Sequence, residues 1–468
     1  MTDKRDVPFT LEKLQAAFKS GELTCESYID AVIERAESLK HLNAFITVDW
    51  EMLRKAAREV DQSGKAGEGL NGIPLCFKDN IQTGVLAASA ATKALAGNIS
   101  SASVVAERLL NSGALVGGMG NMHELAFGIT TNNGYSGASK NPWNTERIPG
   151  GSSGGVAVAI AAGIMPAGIG TDTGGSVRLP SALCGIVGFR PSMMRYPSKG
   201  LVPVSHTRDT AGPMANTVKD CRMLDAIMAG KNDSAIDEVA SFSSIKLGVP
   251  RAYFFDNLDP EVGRLSEDAL KKLSDAGVTL VEADIPNVGE LDEACSFPIA
   301  LYEFMQDLPA YLAAHASHIS IKDVADHALS PDVSGLMASL MSDGAMPESV
   351  YREAVDVVRP KLQQTYADYF SKQGVDAVIF PTTVLPAAPI GDDETVELNG
   401  ERLPTFPTFI HNTDPGSNAG IPGISLPIGL TYDGLPVGIE IDGPFNSDER
   451  LLSIAEALES VFNFTQRP

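Results

Sequence analysis

The chain has 468 residues, of which 44% are hydrophobic and 20% are charged, as in an ordinary globular protein with a large buried core. Its 59 acidic residues outnumber its 36 basic residues and give a net charge of −23. This balance argues against a nucleic-acid partner, because phosphates are bound by clustered Lys and Arg. The length is compatible with two or three domains or with one large α/β enzyme domain.

Helices and strands alternate along the chain, which indicates an α/β fold with helices on both faces of a sheet. In the first sixty residues, Thr24 is placed to cap a helix in which Ile29 and Ala36 share one face. The next predicted elements are a strand at 75–77, a helix at 104–110, a strand at 114–116, a helix at 156–162, strands at 165–170 and 247–249, a helix at 261–273 and a strand at 278–282.

The region 300–373 is predicted to be helical, with breaks at Pro309, Pro331 and Pro347, and it has the character of an insertion that covers a site. The last predicted elements are strands at 375–380 and 437–441 and a helix from Ser447, as its cap, to Phe462. Since no repeat or linker composition interrupts the chain, we expect one large domain.

Neither a membrane span nor a disulfide framework is predicted. The uncharged run 154–170 is shorter than the roughly 20 residues that cross a bilayer, and Gly163 and Pro166 interrupt it, so a buried helix followed by a buried strand is expected. The five cysteines are odd in number, scattered and without a CxxC pair, which indicates reduced thiols in a cytoplasmic protein.

Two glycine-rich turns each contain a serine, Ser152 in 150–155 and Ser176 in 171–176. A flexible linker is disfavoured for the first turn because it leads directly into an apolar helix. A phosphate-binding loop is disfavoured because the lysine of GxxxxGK[ST] is missing. The GxSxG nucleophile elbow needs a preceding strand, and Pro142 and Pro149 disfavour one.

A fourth interpretation uses both serine turns together with an upstream lysine, Lys78. The chain closely resembles the amidase signature family in Lys78-Asp79-Asn80, Asn141-Pro142, the 150–155 turn, the 170–180 segment and Cys184-Gly185, strongly over 70–215 and weakly from there to the C-terminus. The resemblance implies a single large α/β domain, 1–468, with a central twisted mixed β-sheet covered by helices on both faces. Within it we expect an N-terminal helical segment at 1–65, a catalytic core at 66–215 and the helical insertion at 300–373.

The resemblance also implies an amidase with a Ser–cis-Ser–Lys triad and no cofactor. By position, Ser176 is the nucleophile, Ser152 is the relay after a cis peptide bond, and Lys78 is the base. A serine hydroxyl needs such a base, and a lysine serves as one only where burial or a positive field lowers its pKa. No metal site is predicted, since the chain has no HExxH motif.

The second serine turn supplies the donors of a predicted oxyanion hole, because glycine allows several backbone N–H groups to point the same way. The predicted donors are Thr173, Gly174, Gly175 and Ser176. Asp172 and Arg178 flank the turn, and we interpret them as a structural ion pair that holds it.

A narrower resemblance concerns the substrate. The segments 121–130, 301–304, 412–414 and 417–419 resemble the indoleacetamide and mandelamide hydrolase branch of the family. This implies a primary amide on an aryl-acetyl-type group, released as the acid and ammonia. The residues predicted to bind this substrate are Phe127, Gly128, Ile129 and Tyr302, although core packing is an equal alternative for each. His123 is expected to make a structural hydrogen bond.

Other activities stay open at this point. The A subunit of a tRNA-dependent amidotransferase would use the same triad, and carbamates, urea-type compounds, anilides or esters would suit the same acyl-transfer chemistry. The predicted partner is a small-molecule amide, with no nucleic acid and no membrane, and the family resemblance is compatible with a homodimer.

Overall fold

A mixed sheet of eleven strands forms the centre of the molecule in the computed structural model, which describes residues 9–231 and 239–468. The strands are β1 (Phe45–Thr47), β2 (Pro74–Lys78), β3 (Leu115–Gly120), β4 (Asn132–Asn133), β5 (Gly137–Ala138), β6 (Ala167–Asp172), β7 (Val187–Arg190), β8 (Thr210–Ala215), β9 (Lys246–Val249), β10 (Thr279–Glu282), β11 (Ala377–Pro381), β12 (Thr395–Leu398), β13 (Glu401–Pro404), β14 (Gly423–Leu430) and β15 (Pro436–Asp442). The order in the large sheet is β1-β3-β2-β6-β8-β7-β14-β15-β11-β9-β10, and β4 with β5 and β12 with β13 form small separate pairs.

The large sheet has a parallel part on each side of an antiparallel middle, and its edge strand β1 runs antiparallel to β3. β2 runs parallel to both β3 and β6, and β9 runs parallel to both β10 and β11. From β6 to β11 every neighbouring pair is antiparallel. Because β2 and β6 are parallel neighbours, their carboxyl ends meet at one edge, where Lys78 and Asp172 lie.

Helices cover the sheet and form its connections. They are α1 (Leu11–Ser20), α2 (Cys25–Ser38), α3 (Trp50–Ser63), α4 (Val104–Asn111), α5 (Gly154–Ala161), α6 (Arg178–Cys184), α7 (Val218–Ala229), α8 (Pro260–Asp275), α9 (Val288–His315), α10 (Ile321–His327), α11 (Pro331–Leu340), α12 (Glu348–Glu353), α13 (Arg359–Gln373), α14 (Thr405–Ile410), α15 (Asp414–Ala419) and α16 (Asp448–Phe462). Every residue of α5 and β6 is buried. The predicted buried helix and strand in the uncharged run are therefore confirmed, and so is the single large α/β domain.

Two local predictions at helices were wrong. The helix that includes Pro309 does not break there, since α9 continues through both Pro298 and Pro309. Each proline removes one backbone donor, and the buried side chains of Phe304 and Leu308 favour an unbroken helix. Ser447 precedes α16 as predicted, but its side chain makes no capping bond. By contrast, Thr24 caps α2 as predicted, accepting a bond from the Ser27 N–H at 3.1 Å.

A membrane-spanning helix was not expected. Among the described helices, none is both long enough and apolar enough to cross a membrane.

Candidate active site

Lys78 is the last residue of β2 and is completely buried between the neighbouring strands. Its Nζ lies 2.7 Å from Ser152 Oγ, 2.8 Å from Thr171 Oγ1 and 3.2 Å from the Thr171 carbonyl oxygen. Burial lowers the pKa of Lys78 to about 7, although the carboxylates of Asp172 and Asp209 oppose this effect. The lysine is therefore neutral in a large fraction of molecules near neutral pH.

Ser152 lies in the glycine-rich turn that leads into α5, and its side chain is completely buried. The Gly151–Ser152 peptide bond is cis. The two serine turns are directly joined, because the N–H of Ser153 donates to the carbonyl oxygen of Ser176 at 3.3 Å. The structure thus brings Lys78, Ser152 and the second serine turn together.

Ser176 lies in the turn between β6 and α6, is half-buried, and lines a cavity. Asp172 fixes the backbone of this turn, since its carboxylate accepts the N–H of Gly175 at 2.9 Å and the N–H of Val177 at 3.1 Å. One of the four predicted oxyanion donors, the Gly175 N–H, is therefore already engaged. The N–H groups of Thr173, Gly174 and Ser176 have no acceptor within residues 9–231 and 239–468.

A buried ion-pair network supports Asp172. Arg178 Nη2 lies 3.1 Å and Arg190 Nη1 lies 2.9 Å from Asp172 Oδ1, and Arg178 also contacts the carboxylate of Glu440. Burial raises the pKa of Asp172, but the two guanidinium groups outweigh it and hold that pKa well below its usual range. The predicted pair of Asp172 and Arg178 is present, and Arg190 and Glu440 extend it.

The cavity in front of Ser176 has a volume of about 360 Å³ and is mainly apolar. Its apolar lining comprises Ala126, Phe127, Ile129, Val204, Phe297, Ala300, Leu301, Leu336, Phe406, Pro407 and Ile410. The ring of Phe127 meets that of Phe304 edge to face, with 4.4 Å between centroids. This volume and lining are typical of a small-molecule site.

Five polar side chains interrupt the apolar lining: Thr173 and Ser176 of the second serine turn, and Arg208, Ser296 and Asp414. Asp414 accepts hydrogen bonds from both Arg208 and Ser296. Arg208 also donates to the carbonyl oxygen of Thr173 at 3.2 Å. The pair of Arg208 and Asp414 therefore supports the second serine turn from the side of the cavity.

A family model described as Amidase matches residues 27–452 of the chain. The chain belongs to the amidase family. It is therefore a hydrolase that acts on carbon–nitrogen bonds of amides.

Individual relatives agree with this assignment. The amidase is 47% identical to an indoleacetamide hydrolase of Allorhizobium ampelinum, over 96% of this chain and 97% of that protein. It is 40% identical to a mandelamide hydrolase of Pseudomonas putida, over 97% of this chain and 91% of that protein. A solved structure described as an amidase superposes with a TM-score of 0.85 at 32% identity, over 96% of this chain and 99% of that one.

The structure separates the four residues predicted to bind the substrate of this amidase. Phe127 and Ile129 line the cavity, and Gly128 lies between them in sequence. Tyr302 is not among the described residues that line it, and its ring stacks on Tyr351 at 4.1 Å instead. Its predicted role in substrate binding therefore has no contact to support it, whereas the preceding Leu301 does line the cavity.

Sequence reasoning assigned no role to Arg190, Arg208, Asp414 or Glu440. Arg208 and Asp414 are separated by 206 residues in the chain, so no local spacing rule connects them. A detectable signal existed for Arg190 alone, since this charged residue ends the short apolar segment Val187–Arg190. Charges at such positions are rare unless they are paired.

Proposed function

We propose that this amidase hydrolyses a primary amide on an aryl-acetyl-type group to the carboxylic acid and ammonia, through an acyl-enzyme on Ser176. The observation that carries this proposal is that Ser176 lines the apolar cavity of about 360 Å³ and that its turn is hydrogen-bonded to the turn of Ser152, the partner of Lys78. An aromatic ring gains most from such a lining, because its transfer from water is favourable in proportion to the apolar area buried. The indoleacetamide and mandelamide hydrolases among the relatives support the same substrate class.

Acylation begins with neutral Lys78 as the base. Lys78 takes the hydroxyl proton of Ser152 as Ser152 takes that of Ser176, and Ser176 Oγ forms a bond to the amide carbon. When the tetrahedral intermediate collapses, the carbon–nitrogen bond breaks. The proton held on Lys78 returns through Ser152 to the nitrogen, which leaves as ammonia.

Deacylation follows the same path with water in place of Ser176. Water loses a proton through Ser152 to Lys78 and attacks the ester carbonyl, and Ser176 Oγ leaves as it regains that proton. The acid is released and the triad returns to its starting protonation state. Lys78 is therefore a base in the first half of each step and an acid in the second half.

The negative charge on the intermediate's oxygen needs preorganised donors. We assign this role to the N–H groups of Thr173, Gly174 and Ser176, which have no acceptor in the described part of the chain. The Gly175 N–H, which donates to Asp172, instead anchors the turn. Loss of one oxyanion donor typically lowers kcat by about 10²–10³.

We also place this amidase in the cytoplasm, in line with its five free and buried cysteines. A homodimer belongs to the same proposal, and the mass of the purified protein by light scattering tests it.

The proposed function is tested by ammonia release from a panel of indoleacetamide, mandelamide, phenylacetamide, malonamide, glutamine and an aryl carbamate. Ser176→Ala is assayed beside the native protein, and Ser266→Ala serves as the control. Ser266 is a buried serine whose hydroxyl donates to the carbonyl oxygen of Val262 within α8.

Turnover of the aryl-acetamides that disappears in Ser176→Ala and persists in Ser266→Ala is the expected result. Release from malonamide or glutamine alone would contradict the aryl-acetyl substrate while leaving the serine mechanism in place. Absence of ammonia from every compound would contradict the proposal and favour a partner-dependent amidotransferase or a different leaving group.

A further inference from the structure

His123 connects three segments around the cavity, although its side chain is buried behind it. Its Nε2 lies 2.9 Å from Asp332 Oδ2 and its Nδ1 lies 3.4 Å from Thr130 Oγ1. The carboxylate of Asp332 is half-buried, and burial raises its pKa, but the hydrogen bond with His123 outweighs this effect and lowers it. The interaction is therefore a charge-assisted hydrogen bond between two distant segments.

The first of these segments is the loop that forms one wall of the cavity. A Cβ atom on Gly128 would lie 2.2 Å from His123 Nε2, so the backbone of this loop packs directly on the imidazole ring. Phe127 and Ile129, on either side of Gly128, both line the cavity. The position of the ring thus determines how far this wall extends toward the substrate.

The second segment is α11, which forms another part of the lining. Asp332 lies in its first turn, and Leu336, one turn later, lines the cavity. The neighbour of His123, Glu124, accepts the N–H of Ser330 at 2.7 Å, directly before the helix. Two consecutive side chains therefore hold the beginning of α11.

The third segment is the turn of the relay serine. The backbone N–H of His123 donates to the carbonyl oxygen of Ser152 at 3.1 Å, and Ser152 Oγ is the partner of Lys78. A displacement of His123 would therefore shift both the cavity lining and the turn of Ser152.

We propose that His123 and Asp332 are a positioning pair that fixes the Phe127 loop and α11 at the separation an aryl-acetyl group requires, and so sets selectivity over small amides. This inference rests on the proposed function, because it assumes that the acyl group occupies the cavity. An amide with a methyl acyl group fills little of the cavity of about 360 Å³, so its turnover depends less on the lining at Phe127 and Leu336. An aryl-acetyl group contacts both walls and depends on their spacing.

The test compares phenylacetamide with acetamide in Asp332→Ser, whose side chain is compatible with the first turn of a helix but too short to reach His123. We expect the ratio of kcat/KM for the two amides to fall about tenfold, mainly through KM for phenylacetamide. Asp332→Asn, which keeps an acceptor oxygen for His123, should retain most of the native ratio. Asp326→Ala is the matched control, because this exposed acid on α10 pairs with Lys322 at 2.6 Å and is not among the described residues that line the cavity; the ratio should stay unchanged.

If the pair had a structural role alone, kcat/KM would change equally for both amides or for neither, and either result would overturn the proposal. Hydrogen–deuterium exchange gives a second readout that needs no turnover: in Asp332→Ser, residues 123–131 should exchange faster together with 331–340. Unchanged exchange at 123–131 would also overturn it. If the native protein hydrolyses no amide, the proposed function fails on that result, and the exchange measurement still decides whether the pair couples the two segments.

Discussion

The Nζ of Lys78 lies 2.7 Å from the Oγ of Ser152, although the two residues are 74 positions apart in the chain. The contact forms because β2 and β6 are parallel neighbours, and the first serine turn leads into α5, which packs on both strands and against the buried helix α6. Thr171 in β6 provides the other two contacts of Nζ. The lysine is therefore fixed from two sides, and its hydrogen bond to Ser152 is the only one of the three that leads toward Ser176.

Ser152→Ala tests this relay. The alanine variant leaves Lys78 with its contacts to Thr171, so the lysine stays in place while the proton path to Ser176 is lost. We expect kcat in ammonia release to fall by about 10²–10⁴, the usual contribution of proton transfer by a positioned group, with little change in KM. Ser153→Ala is the matched control, since the Ser153 hydroxyl donates to the carbonyl oxygen of Thr171 at 3.2 Å and not to Lys78. Equal losses in both variants would contradict a relay at Ser152.

The pH dependence tests Lys78 as the base. Burial lowers its pKa to about 7, and a lysine is charged below its pKa and neutral above it, so kcat/KM should rise between pH 6 and pH 8. Asp79 complicates the assignment, because burial raises its pKa also to about 7. Asp79→Asn resolves it: an amide oxygen can accept the same bonds from Ser89 and Ala91, and the rise should persist. A flat native profile from pH 6 to pH 9, or a rise that disappears in Asp79→Asn, would exclude Lys78 as the titrating base.

Several features of the fold were predictable because they depend on local patterns. The glycine-rich turns and the uncharged run after Ser152 predicted a buried helix and strand, which are α5 and β6. Strands β7, β8 and β14 were not predicted. Pro213 interrupts β8 and Pro427 interrupts β14, and prolines in central strands normally argue against a strand. Here the antiparallel neighbours stabilise these segments, and that support is not visible in the local sequence.

The residues of the candidate site likewise fall into those that the sequence predicted and those that it did not. The two glycine-rich serine turns and the Lys78-Asp79-Asn80 segment, through their resemblance to the amidase signature family, identified Lys78, Ser152 and Ser176 as candidates. The structure brings them to one edge of the sheet. The supports of the site come from distant segments: Glu440 meets Arg178 across 262 positions, and Asp332 meets His123 across 209. Such contacts depend on the strand order, which no local pattern contains.

Phe127→Ala tests the cavity as the binding site of the acyl group. Removal of the ring, which packs on Phe304 at 4.4 Å, leaves a gap beside the substrate. We expect kcat/KM for phenylacetamide to fall about 10–100-fold, the range for lost apolar contact in a binding pocket, and that for acetamide to change less than about threefold. The control, Phe445→Ala, removes an exposed phenylalanine and should change kcat/KM for neither amide. Equal losses of kcat/KM for both amides in Phe127→Ala would contradict a role for Phe127 in binding the acyl group.

Gly175→Ala tests the geometry of the proposed oxyanion turn. Gly175 has a φ of +138°, and an added Cβ would lie 2.2 Å from Thr413 Oγ1, so the turn must shift. We expect kcat to fall about 10²–10³-fold, as when an oxyanion donor is lost. Gly21→Ala is the control, since Gly21 has a φ of +73° with open space around its Cβ position and shares only the backbone strain. Native-like kcat in Gly175→Ala would contradict a role for this turn in stabilising the intermediate.

Arg178→Met tests whether the buried network holds the turn or only fills space. Arg178 is buried between Asp172 and Glu440, and its loss leaves two buried carboxylates without their main partner. Removal of one partner from a buried ion pair typically lowers the free energy of unfolding by about 3–5 kcal/mol. In Arg264→Met, the guanidinium that is lost pairs with Glu261 at 2.9 Å on the surface of α8, and the loss of stability should be much smaller because solvent screens the pair. Urea unfolding of both variants measures the difference, and similar losses would show that the network contributes no more than a surface ion pair.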